Sequence, residues 1–92
     1  MNVVHYEVSV DGVTVHLAGK QFEVLKYLFH HIGKVVPHSI LLQAVWGPEY
    51  ASSVDELRVY ISNLRKVIEA DPGRPRYLLT VHGVGYKLAL LP

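Results

Sequence analysis

Val54-Asp55-Glu56-Leu57-Arg58-Val59-Tyr60-Ile61-Ser62-Asn63-Leu64-Arg65-Lys66-Val67-Ile68 decides how this chain folds. Its residues Val54, Leu57, Ile61, Leu64 and Ile68 recur at alternating spacings of three and four, the period of a helix that buries one face. Ser53-Val54-Asp55-Glu56 at its start reads as a capping box, the Ser53 hydroxyl accepting from the Glu56 amide while the Glu56 side chain reaches back. Asp71-Pro72-Gly73 ends the pattern, so a helix is expected over 53–71.

Upstream, Gly47-Pro48 stops a shorter helix over 39–46 whose apolar face is Leu41, Leu42, Val45 and Trp46. Trp46 reads mainly as a core residue. Before it, Phe22, Leu25, Leu28, Phe29 and Ile32 give a helix over 19–32, with Gly33 at the position after its end. Lys34-Val35-Val36-Pro37 interrupts the helical period. Residues 3–17 read as a β-hairpin: Val4, Tyr6, Val8 and Val10 share one face, Asp11-Gly12 favours a tight primed turn, and Val13, Val15 and Leu17 alternate again. Downstream, alternation on either side of Gly83-Val84-Gly85 gives a second hairpin over 76–91. The order ββ, α, α, α, ββ predicts an α+β domain in which two hairpins lean on three short helices.

The chain has 92 residues, a length for one domain over 1–92, and is 50% hydrophobic and 18% charged, which excludes a disordered tail. No apolar run approaches the ~20 residues of a membrane span, and no export signal is visible, so a cytoplasmic domain is expected. The absence of cysteine excludes a disulfide framework and thiolate metal sites. Nine basic against eight acidic residues give a net charge of +1. Residues 1–52 carry three bases and four acids (−1), and residues 53–92 six bases and four acids (+2).

That surplus lies where the outward face of the third helix carries Val59, Ser62, Asn63 and Lys66, with Asp55 one turn earlier. An Asn amide bonds bidentately to adenine, Ser donates or accepts, Val meets a thymine methyl, and Lys reaches a guanine or a phosphate, so the mixture suits a reader of the DNA major groove. Arg58 and Arg65 flank the core stripe, where guanidinium forks can hold phosphates. An ordinary amphipathic helix with a solvated outer face has the same pattern. Gly83 and Gly85 allow the terminal turn to approach another molecule closely, and His82 at the tip can meet a minor groove or a phosphate.

Five segments occur in order: Phe22-Glu23-Val24-Leu25, Gly33-Lys34-Val35-Val36, Leu41-Leu42-Gln43-Ala44-Val45-Trp46-Gly47, Val59-Tyr60-Ile61-Ser62-Asn63-Leu64-Arg65-Lys66, and Thr80-Val81-His82-Gly83-Val84-Gly85-Tyr86. Jointly they resemble the OmpR/PhoB-type winged-helix DNA-binding domain, the output module of two-component response regulators. Leu57-Arg58-Val59-Tyr60 with Asp71-Pro72-Gly73-Arg74-Pro75-Arg76 is similar to the potassium-responsive branch of that family. The resemblance implies a winged helix-turn-helix fold, with an N-terminal antiparallel hairpin or sheet, three helices and a C-terminal hairpin wing. It implies double-stranded DNA as partner, with Ser62 and Asn63 facing bases, Arg65 on a phosphate, Arg58 and Tyr60 near the backbone, and Thr80 and His82 on the wing. It also implies that Gly47, Pro48, Glu49, Tyr50, Ala51 and Ser52 form a loop that touches RNA polymerase, and that two copies pair on tandem half-sites. No cofactor, metal, membrane or small-molecule substrate is implied.

The chain departs from the family pattern in ways that thin its contacts to phosphate. Ser62 and Asn63 stand where basic residues are frequent, His82 replaces a wing Arg, and Ser39 replaces an Arg on the second helix. Ala18 and Gln21 replace a Thr and a Glu at the first helix start, a loss of about 1 kcal/mol of capping. The family's domain opens with a further strand or two and follows a receiver domain. The expectation is therefore a C-terminal piece whose shortened sheet offers an edge for self-pairing. Two rival readings remain. A winged helix can bind protein instead of DNA, which the low net charge favours. An enzyme would need a nucleophile, phosphate or metal motif, and none is present; His30 and His31 point about 100° apart on a helix and read as a surface pair.

Overall fold

The computed structural model describes residues 2–4, 6–10 and 12–89. Three strands open the chain: β1 (Asn2–Val4), β2 (Glu7–Val10) and β3 (Val13–His16). They form an antiparallel sheet in that order, with Val3 opposite Val8 and Val8 opposite Val15. The single strand expected over 4–10 is thus broken. Tyr6 takes a left-handed φ of 63° and turns β1 back on β2, leaving the residue 58% exposed with its ring centroid 4.7 Å from that of Phe22. Asp11, half of the expected turn pair, lies outside the described residues.

Helix α1 (Gly19–His30) buries Phe22, Val24, Leu25 and Leu28. It ends two residues before the expected 32, and the chain then turns so that the Gly33 amide donates to the Leu88 carbonyl at 2.8 Å. Ala18 in front of α1 makes no side-chain cap, as its methyl group dictates. Val35–Pro37, which the sequence marked only as an interruption, is a strand, β4. Two β-branched residues between Gly33 and Pro37 suit an extended segment. Helix α2 (His38–Trp46) follows and buries Leu41, Leu42 and Val45. Between α2 and α3, residues Pro48–Tyr50 form one 3-10 turn.

Helix α3 (Val54–Ile68) buries Leu57, Ile61, Leu64 and Ile68, the stripe read from the sequence, with Val54 half-buried at its edge. Its start departs from expectation: Ser53 makes no side-chain cap, so the capping box is not formed. Instead Ser53 accepts through its carbonyl from Leu57 and donates its amide to Tyr50. The helix also stops at Ile68, not at 71, because Glu69 swings into extended backbone, with φ −100° and ψ 138°. Strands β5 (Leu78–Val81) and β6 (Gly85–Leu88) complete a second antiparallel sheet of order β4-β6-β5. The expected end of this hairpin, at 91, lies outside the described residues.

One core joins Leu25 and Leu28 of α1, Leu41 and Leu42 of α2, Leu57, Ile61 and Leu64 of α3, and Leu78 and Leu88 of the second sheet. Each of these fully buried leucine or isoleucine side chains contributes ~1.5–3 kcal/mol by leaving water. The hairpin β5–β6 thereby lies beside α3, sharing its core.

Candidate nucleic-acid interface

Because Leu57, Ile61, Leu64 and Ile68 face inward, the helical period forces Asp55, Val59, Ser62 and Lys66 outward, and all four are exposed. Val59 is 59% exposed. Asn63 is half-buried at the margin of this face. Arg58 is exposed and lies 3.8 Å from Asp55 across one helical turn. A pair so open to solvent is worth little, and the same guanidinium also lies against the Tyr86 hydroxyl, whose pKa burial raises and this cation pulls down.

Tyr60 leaves that face. Its ring meets Trp46 edge-on at 5.0 Å, and both line a hollow of ≈ 190 Å³ with Leu42, Tyr50, Ser53 and Glu56. Trp46 is half-buried, packed on the core with one side toward this hollow. In the preceding loop Pro48, Glu49, Tyr50 and Ser52 are exposed, and Gly47 and Ala51 half-buried.

Arg65 does what its spacing did not foretell. Its Nε and Nη2 donate to the Leu78 carbonyl at 3.0 and 2.9 Å, and Nη2 donates again to Thr80 Oγ1 at 2.7 Å. The guanidinium thus ties α3 to β5, with two of its three nitrogens engaged inside the chain. One helical turn further, Glu69 is 7% exposed and accepts the amides of Arg76, Tyr77 and Leu78 at distances from 2.8 to 3.3 Å. This buried carboxylate was missed in the sequence, where it lies off the apolar stripe and looks like one more charge at a helix end.

The tip of the hairpin, His82-Gly83-Val84, is exposed. It is fastened to α2 through the His38 amide, which donates to the Val84 carbonyl at 3.0 Å. Gly85 is not free to approach another molecule, as the sequence suggested. A Cβ there would collide with the Val36 carbonyl and stand 2.8 Å from Pro37 Cα, so this glycine serves the pairing of β4 with β6. Next to it Tyr86 is buried, with its ring edge-on to His38 at 5.3 Å. Burial raises its hydroxyl pKa above 10.0, against the opposing pull of the Arg65 and Arg58 cations. Two arginines of α3 therefore sense the second sheet.

No group of three or more metal-ligating side chains lies together among the described residues. His30 and His31 turn their Nδ1 atoms to the carbonyls of Lys26 and Tyr27 at 2.9 and 2.8 Å. Among the described residues no helix is long and apolar enough to cross a membrane.

The fold is shared with proteins of known class. The family model described as "Transcriptional regulatory protein, C terminal" matches residues 12–88. The chain belongs to this OmpR/PhoB family. Its three helices and antiparallel strands form the family's winged helix. Sensory transduction protein RegX3 of Mycobacterium tuberculosis is 43% identical over 88 residues, which are 96% of this chain and 39% of that protein. Transcriptional regulatory protein KdpE of the same organism is 43% identical over 81 residues, 88% of this chain and 36% of that one. Equal identity to the two favours neither branch. The chain thus spans under two fifths of the length of these curated relatives. Among solved structures, the Klebsiella pneumoniae RstA DNA-binding domain in complex with RstA box superposes with a TM-score of 0.80 at 30% identity, covering 90% of this chain and 82% of that one. The Thermotoga maritima response regulator DrrB, an OmpR/PhoB homologue, gives 0.71 at 43% identity, covering 85% and 35%.

Proposed function

We propose that this winged helix binds double-stranded DNA sequence-specifically, as the output domain of a response-regulator transcription factor. The observation that carries the reading is the α3 surface: a continuous outward face of Val59, Ser62 and Lys66, with Asn63 at its margin, beside a hairpin held in fixed relation to it. In this reading α3 enters the major groove, where Ser62, Asn63 and Val59 meet base edges. Lys66 and Arg58 take phosphates, and Tyr60 stays close to the backbone. Thr80 and His82 on the wing reach the neighbouring minor groove or strand. Two copies on tandem half-sites offset the small number of cationic contacts. The loop 47–52, with Tyr50 41% exposed, is the surface offered to RNA polymerase. Binding chromosomal DNA in this way places the domain in the cytoplasm, and it requires no cofactor, membrane or small-molecule substrate.

The test is selection of bound duplexes from a random pool at two salt concentrations, followed by titration of the selected site. Log K is expected to fall with log salt by about 0.9 per phosphate contact. Asn63→Ala is expected to cost ~1–3 kcal/mol at one adenine-containing step while leaving scrambled duplex unaffected. Equal losses on both duplexes remove Asn63 from base reading. Failure to hold any duplex at low salt overturns the proposal in favour of a protein-binding winged helix.

A further inference from the structure

β5 is an edge strand. One side pairs with β6, Leu78 opposite Leu88 and Thr80 opposite Tyr86. The other side meets no strand among the described residues, and there the Leu78 peptide groups point toward α3. The Leu78 amide donates to Glu69 at 2.8 Å and its carbonyl accepts the forked Arg65 bonds. Donor and acceptor of one buried residue are thus satisfied by Arg65 in the last turn of α3 and by Glu69 just past its end. Glu69 fixes the root of the hairpin, at residues 76–78, and Arg65 extends the grip to Thr80, two residues short of the tip. A two-stranded ribbon twists and flexes readily unless its edges are tied. A planar guanidinium with fixed donor directions restricts it, whereas one ammonium cannot make the same fork.

We propose that Arg65 is a positioning residue. It sets the distance and angle between α3 and the wing, and so fixes which base step the wing reads relative to the step read by α3. The proposal rests on the duplex-binding reading above, and it replaces the plain phosphate contact that the family resemblance implies for this position. For a phosphate the guanidinium has only Nη1 left, because Nε and Nη2 are spent on Leu78 and Thr80. The consequence is separable from charge: loss of the fork loosens the wing even where the cation is kept.

The experiment uses the 92-residue chain with Arg65→Lys and Thr80→Val, the latter removing only the exposed hydroxyl acceptor. In the free protein, amide heteronuclear NOE values over 79–85 are expected to drop in Arg65→Lys and, less, in Thr80→Val, while those of α3 hold. On the selected duplex, Arg65→Lys is expected to weaken binding about tenfold, with the salt slope unchanged. Base preference under the wing is lost and that under α3 kept. Wing amides as rigid as in the parent in both variants overturn the proposal, as does full affinity in Arg65→Lys. A companion Arg65→Gln in which the salt slope falls by about one while the wing stays rigid assigns Arg65 to phosphate instead. Should the parent bind no duplex, the functional reading fails, and the amide measurement still upholds or removes the clamp.

Discussion

The two ends of this chain both form antiparallel hairpins with glycine at the turn, and they are built on different terms. The first, β2–β3, presents Val13 at 65% exposure around Gly12, whose missing Cβ would meet open space. Among the described residues, its backbone tie outside the strands, Leu17 to the Tyr6 carbonyl at 2.8 Å, extends the same ladder. The second, β5–β6, is held from every side: by β4 along one edge, by Arg65 and Glu69 along the other, and by the His38 and Gly33 amides at its tip and base. Similar local sequence therefore yields a covering sheet in one place and a fixed instrument in the other. What separates them is the number of backbone groups outside the hairpin's own ladder that find partners on other elements.

Alanine at one glycine of each hairpin, Gly12 in the turn of the first and Gly85 at the start of β6 in the second, breaks or upholds this contrast most directly. Gly85→Ala drives a methyl group into the Val36 carbonyl, and neither backbone can yield without parting β4 from β6. A loss exceeding about 4 kcal/mol is expected, read as failure to fold or a collapse of the melting temperature. Next, Glu69→Ala removes the acceptor of three backbone amides in a buried place, and about 3 kcal/mol should be lost in urea unfolding. Gly12→Ala meets no atom but must hold a φ of 80°, so about 1 kcal/mol is expected, or roughly 4–8 °C of melting temperature. A cost for Gly12→Ala equal to that of Gly85→Ala would erase the distinction between the hairpins. Smallest of all, Val13→Ser on the exposed face of the first hairpin should stay within about 0.5 kcal/mol.

Where the sequence could be read, local period was the reason. The stripe Leu57, Ile61, Leu64 and Ile68 is visible because a helix repeats every 3.6 residues, and its complement, Val59, Ser62 and Lys66, follows by geometry alone. The α+β order and the hairpin beside α3 were likewise legible. Departures came where hydrogen bonds outside the expected element, some to partners distant in sequence, overrode local preference. Val35–Pro37 becomes a strand because β6 offers it a ladder. Helix α3 stops at Ile68 because Glu69 is worth more as an acceptor for residues 76–78 than as a further helical residue. The capping box fails because Ser53 belongs to a chain of turns running back to Gly47.

By itself, then, the order of residues determined the elements and the two faces of α3, since periodicity and turn chemistry act within a few neighbours. Only the tertiary structure decided that Arg65 grips the wing, that Glu69 is buried beneath its root and that Gly85 is an internal contact. Those three depend on distances between residues 7 to 49 positions apart in the chain, which close only when the core has formed.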